Sequence, residues 1–209
     1  MICNFDINIF DKKEVEEEEL QELEFPYEIG WVPDWIFERD FTKETLRKWE
    51  CAMDEDSNLV IPIRTKDKII RGWVTRRLYM TPKYLYSTGL KCSKLLFGEN
   101  HITKSDFICI TEGMLDTMWL DQNGFPSVAI FGASLSKTQE ELLLNLPTKE
   151  LVLCLDGDQA GKNATEKCLT RLSNRCIVST IQIPERYKDV QDIRDKEELM
   201  KVIKNRNLW

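Results

Sequence analysis

The sequence contains one histidine, His101, and its seven cysteines include no Cys-x-x-Cys pair. A zinc site of the cysteine/histidine type needs several such ligands at characteristic spacings, so we expect no site of this class. The chain also lacks a signal peptide and any apolar run approaching about 18 residues, and we therefore expect no membrane span. The unpaired cysteines that fall in apolar stretches are typical of core thiols in a reducing compartment.

Acidic and basic residues are unevenly distributed along the 209-residue chain, whose formal net charge is −7. Residues 1–24 carry nine acidic and two basic side chains, and we interpret residues 1–29 as an acidic, flexible leader. Residues 60–104 carry ten Lys or Arg and two acids, interleaved with aromatic side chains. Cations that meet phosphates beside aromatics that stack on bases are typical of a nucleic-acid groove, although a solvated basic face is the alternative interpretation.

The second half of the chain alternates short apolar runs with helix-length segments. The apolar runs are 106–111, 127–131, 150–156 and 176–183, and the segments between them are 113–123, 136–146 and 160–174. This alternation predicts parallel strands joined by crossover helices in a sheet covered on both faces. The first half predicts a short helix capped by Thr42 and two strands joined by a polar turn at 65–68. We therefore expect an α/β fold, with a mixed α+β basic subdomain before a Rossmann-like domain that has a mostly parallel sheet.

Acidic residues follow three of the predicted strands. Glu112 ends the first strand, Asp156 and Asp158 follow the third, and Asp189 and Asp192 come after the fourth. Because the carboxyl ends of parallel strands meet at one edge of a sheet, these carboxylates should converge. Gathered carboxylates repel one another, and a hard divalent cation with oxygen ligands, most naturally Mg²⁺, relieves that repulsion. The Asp-x-Asp pair by itself has a second interpretation, as a helix N-cap or an exposed turn.

Successive segments of the second half resemble the motifs of a Toprim domain, which topoisomerases and bacterial-type primases share. These segments read ITEGMLD, FGASLSKTQ, LVLCLDGDQAGKNA and YKDVQD. Ahead of them, LVIPIRTKDKIIRGWVTRRL, TPKYLYS and LLFG resemble the basic half of the RNA polymerase core of bacterial and bacteriophage DnaG-type primases. The resemblance runs from about Trp31 to the carboxyl terminus. It implies a basic subdomain at 30–104, a Toprim domain at 105–192 and a C-terminal helix at 193–209.

The resemblance also implies roles for particular side chains. Glu112, Asp156 and Asp158 match catalytic, metal-binding acids, and Asp189 matches a later metal-binding acid. The family usually has another acid two residues further on, where this chain has Gln191, with Asp192 one place beyond, so the third ligand position is open. Basic residues fall where the family holds template and incoming nucleotide, with Lys91 as the alternative to Lys94: Arg76, Arg77, Lys83, Lys91 and Lys94.

The implied activity is that of a DNA primase core, which joins ribonucleoside triphosphates into short RNA primers on a single-stranded DNA template. The implied cofactor is Mg²⁺, with Mn²⁺ as an alternative, and the implied location is the bacterial cytoplasm, or the host cytoplasm for a phage-encoded protein. This sequence shows neither the family's zinc-binding module nor a helicase domain, so we expect a zinc-binding module and a replicative helicase to act in trans. Two alternatives stay open: a Toprim-type nuclease that uses the same acids, and a non-catalytic nucleic-acid-binding protein of the replisome.

Overall fold

The computed structural model describes residues 23–209, and most of the predicted acidic leader, residues 1–22, lies outside the described residues. Residues 23–29 are part of the folded first half. The Leu23 N–H donates a hydrogen bond to the carbonyl of Ile70, and the rings of Phe25 and Tyr27 pack edge-on against Trp73, with centroid distances of 6.2 and 5.8 Å.

The first half builds an antiparallel sheet behind two short helices. A 3₁₀ helix covers Asp34–Arg39, and helix α1 covers Lys43–Lys48. The Thr42 side chain accepts a hydrogen bond from the backbone N–H of Thr45, which confirms the predicted N-cap. Four antiparallel strands follow in chain order: β1 (Ala52–Met53), β2 (Leu59–Arg64), β3 (Ile70–Arg76) and β4 (Tyr84–Tyr86).

The second half contains the predicted parallel sheet, which is thereby confirmed. Its strands are β5 (Ser105–Thr111), β6 (Ser127–Ala129), β7 (Thr148–Leu153), β8 (Ile177–Thr180) and β9 (Asn207–Leu208). Their order in the sheet is β6-β5-β7-β8-β9, and only the β8–β9 pairing is antiparallel. The helices are α2 (Met114–Gln122), α3 (Lys137–Leu144), α4 (Gln159–Leu172) and α5 (Lys196–Lys204). Short 3₁₀ helices cover Cys92–Lys94, Glu99–His101 and Val190–Asp192.

The predicted C-terminal helix corresponds to α5, and the chain then returns to the sheet as β9. A strand of two residues is too short to produce an alternating pattern, so the sequence did not reveal this antiparallel edge. None of the helices in residues 23–209 combines the length and the apolar character that a membrane crossing requires.

Both faces of the parallel sheet are buried, as its strand sequences require. Along β5, Ile108 and Ile110 face one hydrophobic cluster while Cys109 faces the other, and Leu151 and Val152 of β7 alternate in the same way. Side chains in a strand alternate with a period of two, so a strand that is apolar at every position must be covered on both sides.

The first half packs against α2, on one face of this sheet. The ring of Phe41 meets the ring of Trp119 edge-on at 6.0 Å, and the Thr42 N–H donates to the side-chain oxygen of Gln122 at 2.9 Å. An ion pair of 2.7 Å joins Lys48 to Asp121. These contacts hold the antiparallel sheet next to the carboxyl edge of the parallel sheet. Glu112 and Asp156 lie at that edge.

Candidate active site

A pocket lies where the carboxyl edge of the parallel sheet faces strand β4. The first half contributes Tyr84 and Tyr86 to its walls. The second half contributes a group of ionisable side chains: Glu112, Asp116, Asp156, Lys188 and Asp189. The topology therefore brings together acids that are separated by up to 77 positions in the sequence, from Glu112 to Asp189.

Glu112 and Asp156 meet directly at the ends of neighbouring strands. The backbone N–H of Asp156 donates to Oε1 of Glu112 at 3.2 Å. Burial raises the pKa of Glu112, and the Asp158 charge adds to the rise while Lys188 and the Asp156 N–H oppose it. Burial also raises the pKa of Asp156, to about 6, and the charges of Glu112 and Asp189 add to this rise. The Lys188 ammonium, 3.9 Å from the Asp156 carboxylate, opposes it. The site therefore holds more negative charge than its own cations compensate.

Asp158 is the N-cap of α4, so the capping interpretation of the Asp-x-Asp pair is correct for this residue. Its carboxylate accepts a hydrogen bond from the Gly161 N–H at 2.9 Å. A Cβ at Gly161 would lie 2.1 Å from the carbonyl oxygen of Asp156, so only glycine allows the helix to start this close to the strand end. Capping and metal binding are compatible, because a carboxylate has a second oxygen and its charge already acts on Glu112 and Asp156.

Asp189 lines the pocket, whereas Asp192 supports the loop behind it. The backbone N–H of Asp192 donates to Oδ1 of Asp189 at 3.0 Å, and the Asp192 carboxylate accepts from the Lys188 N–H at 3.0 Å. Burial raises the pKa of Asp189, and the charge of Asp192 adds to the rise. The Gly157 N–H donates to the carbonyl of Lys188 at 2.7 Å, which ties this loop to the Asp-x-Asp turn.

Asp116 is a pocket acid that the sequence reasoning missed. It lies in the first turn of α2, the helix that begins just after Glu112. A Cβ at Gly113 would come within 2.7 Å of Oδ2 of Asp116, so glycine at 113 makes room for this carboxylate. Burial raises its pKa well above the ordinary value, with Asp189 and Asp156 adding to the rise. An acid in the first turn of a helix that starts at the sheet edge was the signal that could have revealed it.

Of the predicted basic residues, the structure places Arg76 against the pocket wall. Its guanidinium carbon lies 5.0 Å from the centroid of the Tyr84 ring. Arg77 instead donates from Nε to the carbonyl of Pro82 at 3.0 Å, within the loop between β3 and β4. The three predicted lysines are exposed and are not among the residues that line the pocket: Lys83, Lys91 and Lys94.

The pocket acids suit a hard divalent cation in their chemistry. They supply carboxylate oxygens, which Mg²⁺ prefers. Burial, with mutual repulsion adding to it, raises their pKa values, and a bound cation would favour their ionised forms. As they stand, no three acidic, histidine or cysteine side chains within residues 23–209 are close enough to share one metal ion. A Mg²⁺ ion held through one or two carboxylates, with water as its other ligands, does not need three.

Comparison with known proteins finds similarity to DNA primases. A family described as Toprim-like matches residues 109–194. A DNA primase of Thermotoga maritima is 33% identical over 173 residues, which cover 77% of this chain and 30% of that protein. The chain spans between about a fifth and a third of the length of the curated relatives it matches, from 19% to 32%.

Solved primase structures share the fold. The Aquifex aeolicus primase, described by its zinc-binding and RNA polymerase domains, superposes with a TM-score of 0.73 at 23% identity, covering 84% of this chain and 56% of that one. A DnaG primase catalytic domain bound to single-stranded DNA superposes with a TM-score of 0.70 at 18% identity, covering 83% of this chain and 71% of that one.

Proposed function

We propose that the chain is the catalytic core of a DNA primase. It is similar to DNA primases in sequence and fold, and residues 109–194 match a Toprim-like family. It would join ribonucleoside triphosphates into short RNA primers on a single-stranded DNA template. The observation that supports this proposal most directly is the pocket in which acids from two strand ends and from the loop after β8 face Tyr84 and Tyr86 of the first half.

We propose that the acids of this pocket and of the adjoining helix start hold divalent cations, Mg²⁺ or Mn²⁺: Glu112, Asp116, Asp156, Asp158 and Asp189. Such ions, when bound, orient a triphosphate and neutralise the charge that develops as a 3′-hydroxyl attacks the α-phosphate. Asp192 would act indirectly, because its carboxylate accepts from the Lys188 N–H and so stabilises the loop that carries Asp189.

The basic half would hold the template and the nucleotide. Tyr86, which is 48% exposed at the pocket rim, offers a ring on which a base can stack. Tyr84 is more buried and carries the Arg76 guanidinium over its ring, so Arg76 would contribute its charge to this wall. The remaining predicted basic residues would bind backbone phosphates of the template strand as it runs toward the pocket: Arg77, Lys83, Lys91 and Lys94.

Two further partners belong to the proposal. The Aquifex aeolicus structure is described by a zinc-binding domain together with its RNA polymerase domain. We propose that a zinc-binding module, from the same or another polypeptide, and a replicative helicase work with the core described here.

The proposal is tested by incubating the protein with single-stranded DNA, labelled ribonucleotides and Mg²⁺. Short RNA whose sequence follows the template is the expected product, and Asp156→Asn should abolish it while leaving the circular dichroism spectrum unchanged. Shortening of the template would instead identify a nuclease. Template binding without any product, with Mg²⁺ or Mn²⁺ and with an annealed RNA to extend, would identify a non-catalytic binding protein.

A further inference from the structure

The segment 69–98, which contains strands β3 and β4, carries six basic residues and no acid. Four of its large apolar or aromatic side chains are exposed: Tyr79, Met80, Leu85 and Tyr86. Positive charge without any intervening acid, beside exposed rings, suits a polyanion that also carries flat bases. These features of the segment therefore favour a nucleic acid as its ligand.

Tyr79 is the most exposed of these four side chains, at 93%, and lies in the loop between β3 and β4. A ring that is so exposed adds nothing to the hydrophobic core, so the packing of the chain does not account for its position. The loop continues directly from the paired residues Arg76 and Tyr84, where the register of β3 with β4 ends, and Tyr84 lines the pocket. Tyr79 therefore lies on the same hairpin that forms the pocket wall, beyond the pocket itself.

Arg77 holds this loop together from within. Its backbone N–H donates to the carbonyl of Lys83 at 2.8 Å, and its Nε and Nη2 both donate to the carbonyl of Pro82, Nε at 3.0 Å. Its Nη1 lies 3.8 Å from Sδ of Met80. These partners are neutral, so the guanidinium keeps its full charge while it orders the loop. A ring presented on an ordered loop loses less conformational freedom when a ligand stacks on it.

We propose that Tyr79 is a base-stacking site for the single nucleic-acid strand that runs along this hairpin to the pocket. A base of the strand lies against the Tyr79 ring, and the exposed Lys83 of the same loop meets a neighbouring phosphate. Stacking tolerates any base, so Tyr79 contributes affinity and no sequence preference. The inference rests on the proposed function only in assuming that a single strand of DNA approaches the pocket along β4.

The test compares two strands of equal length by fluorescence anisotropy on the full chain, at a salt concentration where both bind. One is oligo(dT), and the other is an abasic strand that keeps the sugar-phosphate backbone and has no bases. Tyr79→Ala should weaken binding of oligo(dT) about tenfold, the effect of losing one stack between a base and an aromatic ring. The same variant should bind the abasic strand as the wild type does. Its slope of log K against log salt should be unchanged, because tyrosine carries no charge to neutralise a phosphate.

Two variants serve as matched controls. Tyr79→Phe keeps the ring and should bind oligo(dT) with the affinity of the wild type. Trp209 is another exposed aromatic residue, at 72%, but it follows the edge strand β9, so Trp209→Ala should leave the affinity for both strands unchanged. Because the Tyr79 ring is exposed, Tyr79→Ala should also keep the Tm of the wild type, and weaker binding is then not a consequence of unfolding.

A loss of affinity that is confined to the strand with bases, and absent in Tyr79→Phe, would support the inference. An equal loss for the abasic strand would overturn it, since the ring would then not act on a base. Unchanged affinity of Tyr79→Ala for oligo(dT) would also overturn it, and would leave the primase proposal intact if the wild type makes template-directed RNA. Failure of the wild type to bind oligo(dT) would overturn the proposed template contacts of the basic half as well.

Discussion

Replacing Asp156 by asparagine should stabilise the metal-free protein while it abolishes the proposed metal-dependent activity. The carboxylate of Asp156 lies beside Glu112, and burial together with the Glu112 and Asp189 charges raises its pKa from 3.8 to about 6. A raised carboxyl pKa means that the folded protein disfavours the ionised form. Asparagine keeps the shape of the side chain and removes the charge, so the repulsion disappears with it.

The size of the effect follows from the shift. A change of one pKa unit corresponds to about 1.4 kcal/mol, so the shift from 3.8 to about 6 sets an upper bound of roughly 3 kcal/mol. The side chain is 23% exposed and shares its shift with neighbouring acids, and we therefore expect about 1–2 kcal/mol at neutral pH. For a chain of this size, 1 kcal/mol raises Tm by about 2–4 °C.

The pH dependence supplies the decisive signature. Because the folded pKa of Asp156 exceeds the unfolded value, the folded state binds its proton more tightly, and wild-type stability falls as the pH rises from about 4 to about 6. The asparagine variant lacks this loss. The difference in Tm between the two proteins should therefore be small near pH 4 and should reach its full value above about pH 6.5.

Thermal unfolding in EDTA, followed by circular dichroism from pH 4 to pH 8, measures this difference. Adding Mg²⁺ should raise the Tm of the wild type and leave that of the variant unchanged, because a ligand stabilises the state that binds it. Asp106, whose side chain is 92% exposed at the start of β5, provides the control: Asp106→Asn should have no effect. Destabilisation by Asp156→Asn at pH 7.5 in EDTA, or a Tm difference that is independent of pH, would refute the electrostatic explanation.

Apolar periodicity was sufficient to predict the parallel sheet, because strands such as Ser105–Thr111 are buried on both faces and alternate with helix-length segments. Given parallel strands, the meeting of Glu112 with Asp156 follows from topology alone. The capping role of Asp158 was visible as well, since an aspartate directly before a helix-length segment is a common N-cap.

The missed pocket acid depends on a tertiary contact that no local pattern encodes. Asp116 reaches the pocket because Gly113 leaves space for its carboxylate, which is a matter of side-chain packing. The basic segment 60–104 was predicted from charge counts, and its individual site residues from the resemblance to primases. Charge counts do not distinguish Arg76, which stacks on Tyr84, from exposed lysines outside the pocket lining.

Two further predictions concern catalysis and template binding. Glu112→Gln and Asp116→Asn should each reduce primer synthesis by about two orders of magnitude or more, because each removes a carboxylate from the proposed metal site. Gel electrophoresis of the labelled products measures this reduction. Near-normal synthesis by either variant would exclude that residue from the metal site. Lys83 is exposed in the loop between β3 and β4, where its ammonium can reach a template phosphate without lining the pocket. Each phosphate contact on a single strand contributes about 0.7 to the slope of log K against log salt, so Lys83→Ala should weaken binding of single-stranded DNA and flatten that slope by about this amount. Lys149 is equally a surface lysine, at 81% exposure, but lies at the start of β7, the end opposite the acids, and Lys149→Ala should change neither quantity. Fluorescence anisotropy over a salt series separates the two variants, and a slope that is unaltered in Lys83→Ala, or flattened equally in Lys149→Ala, would show that the strand does not run past β4.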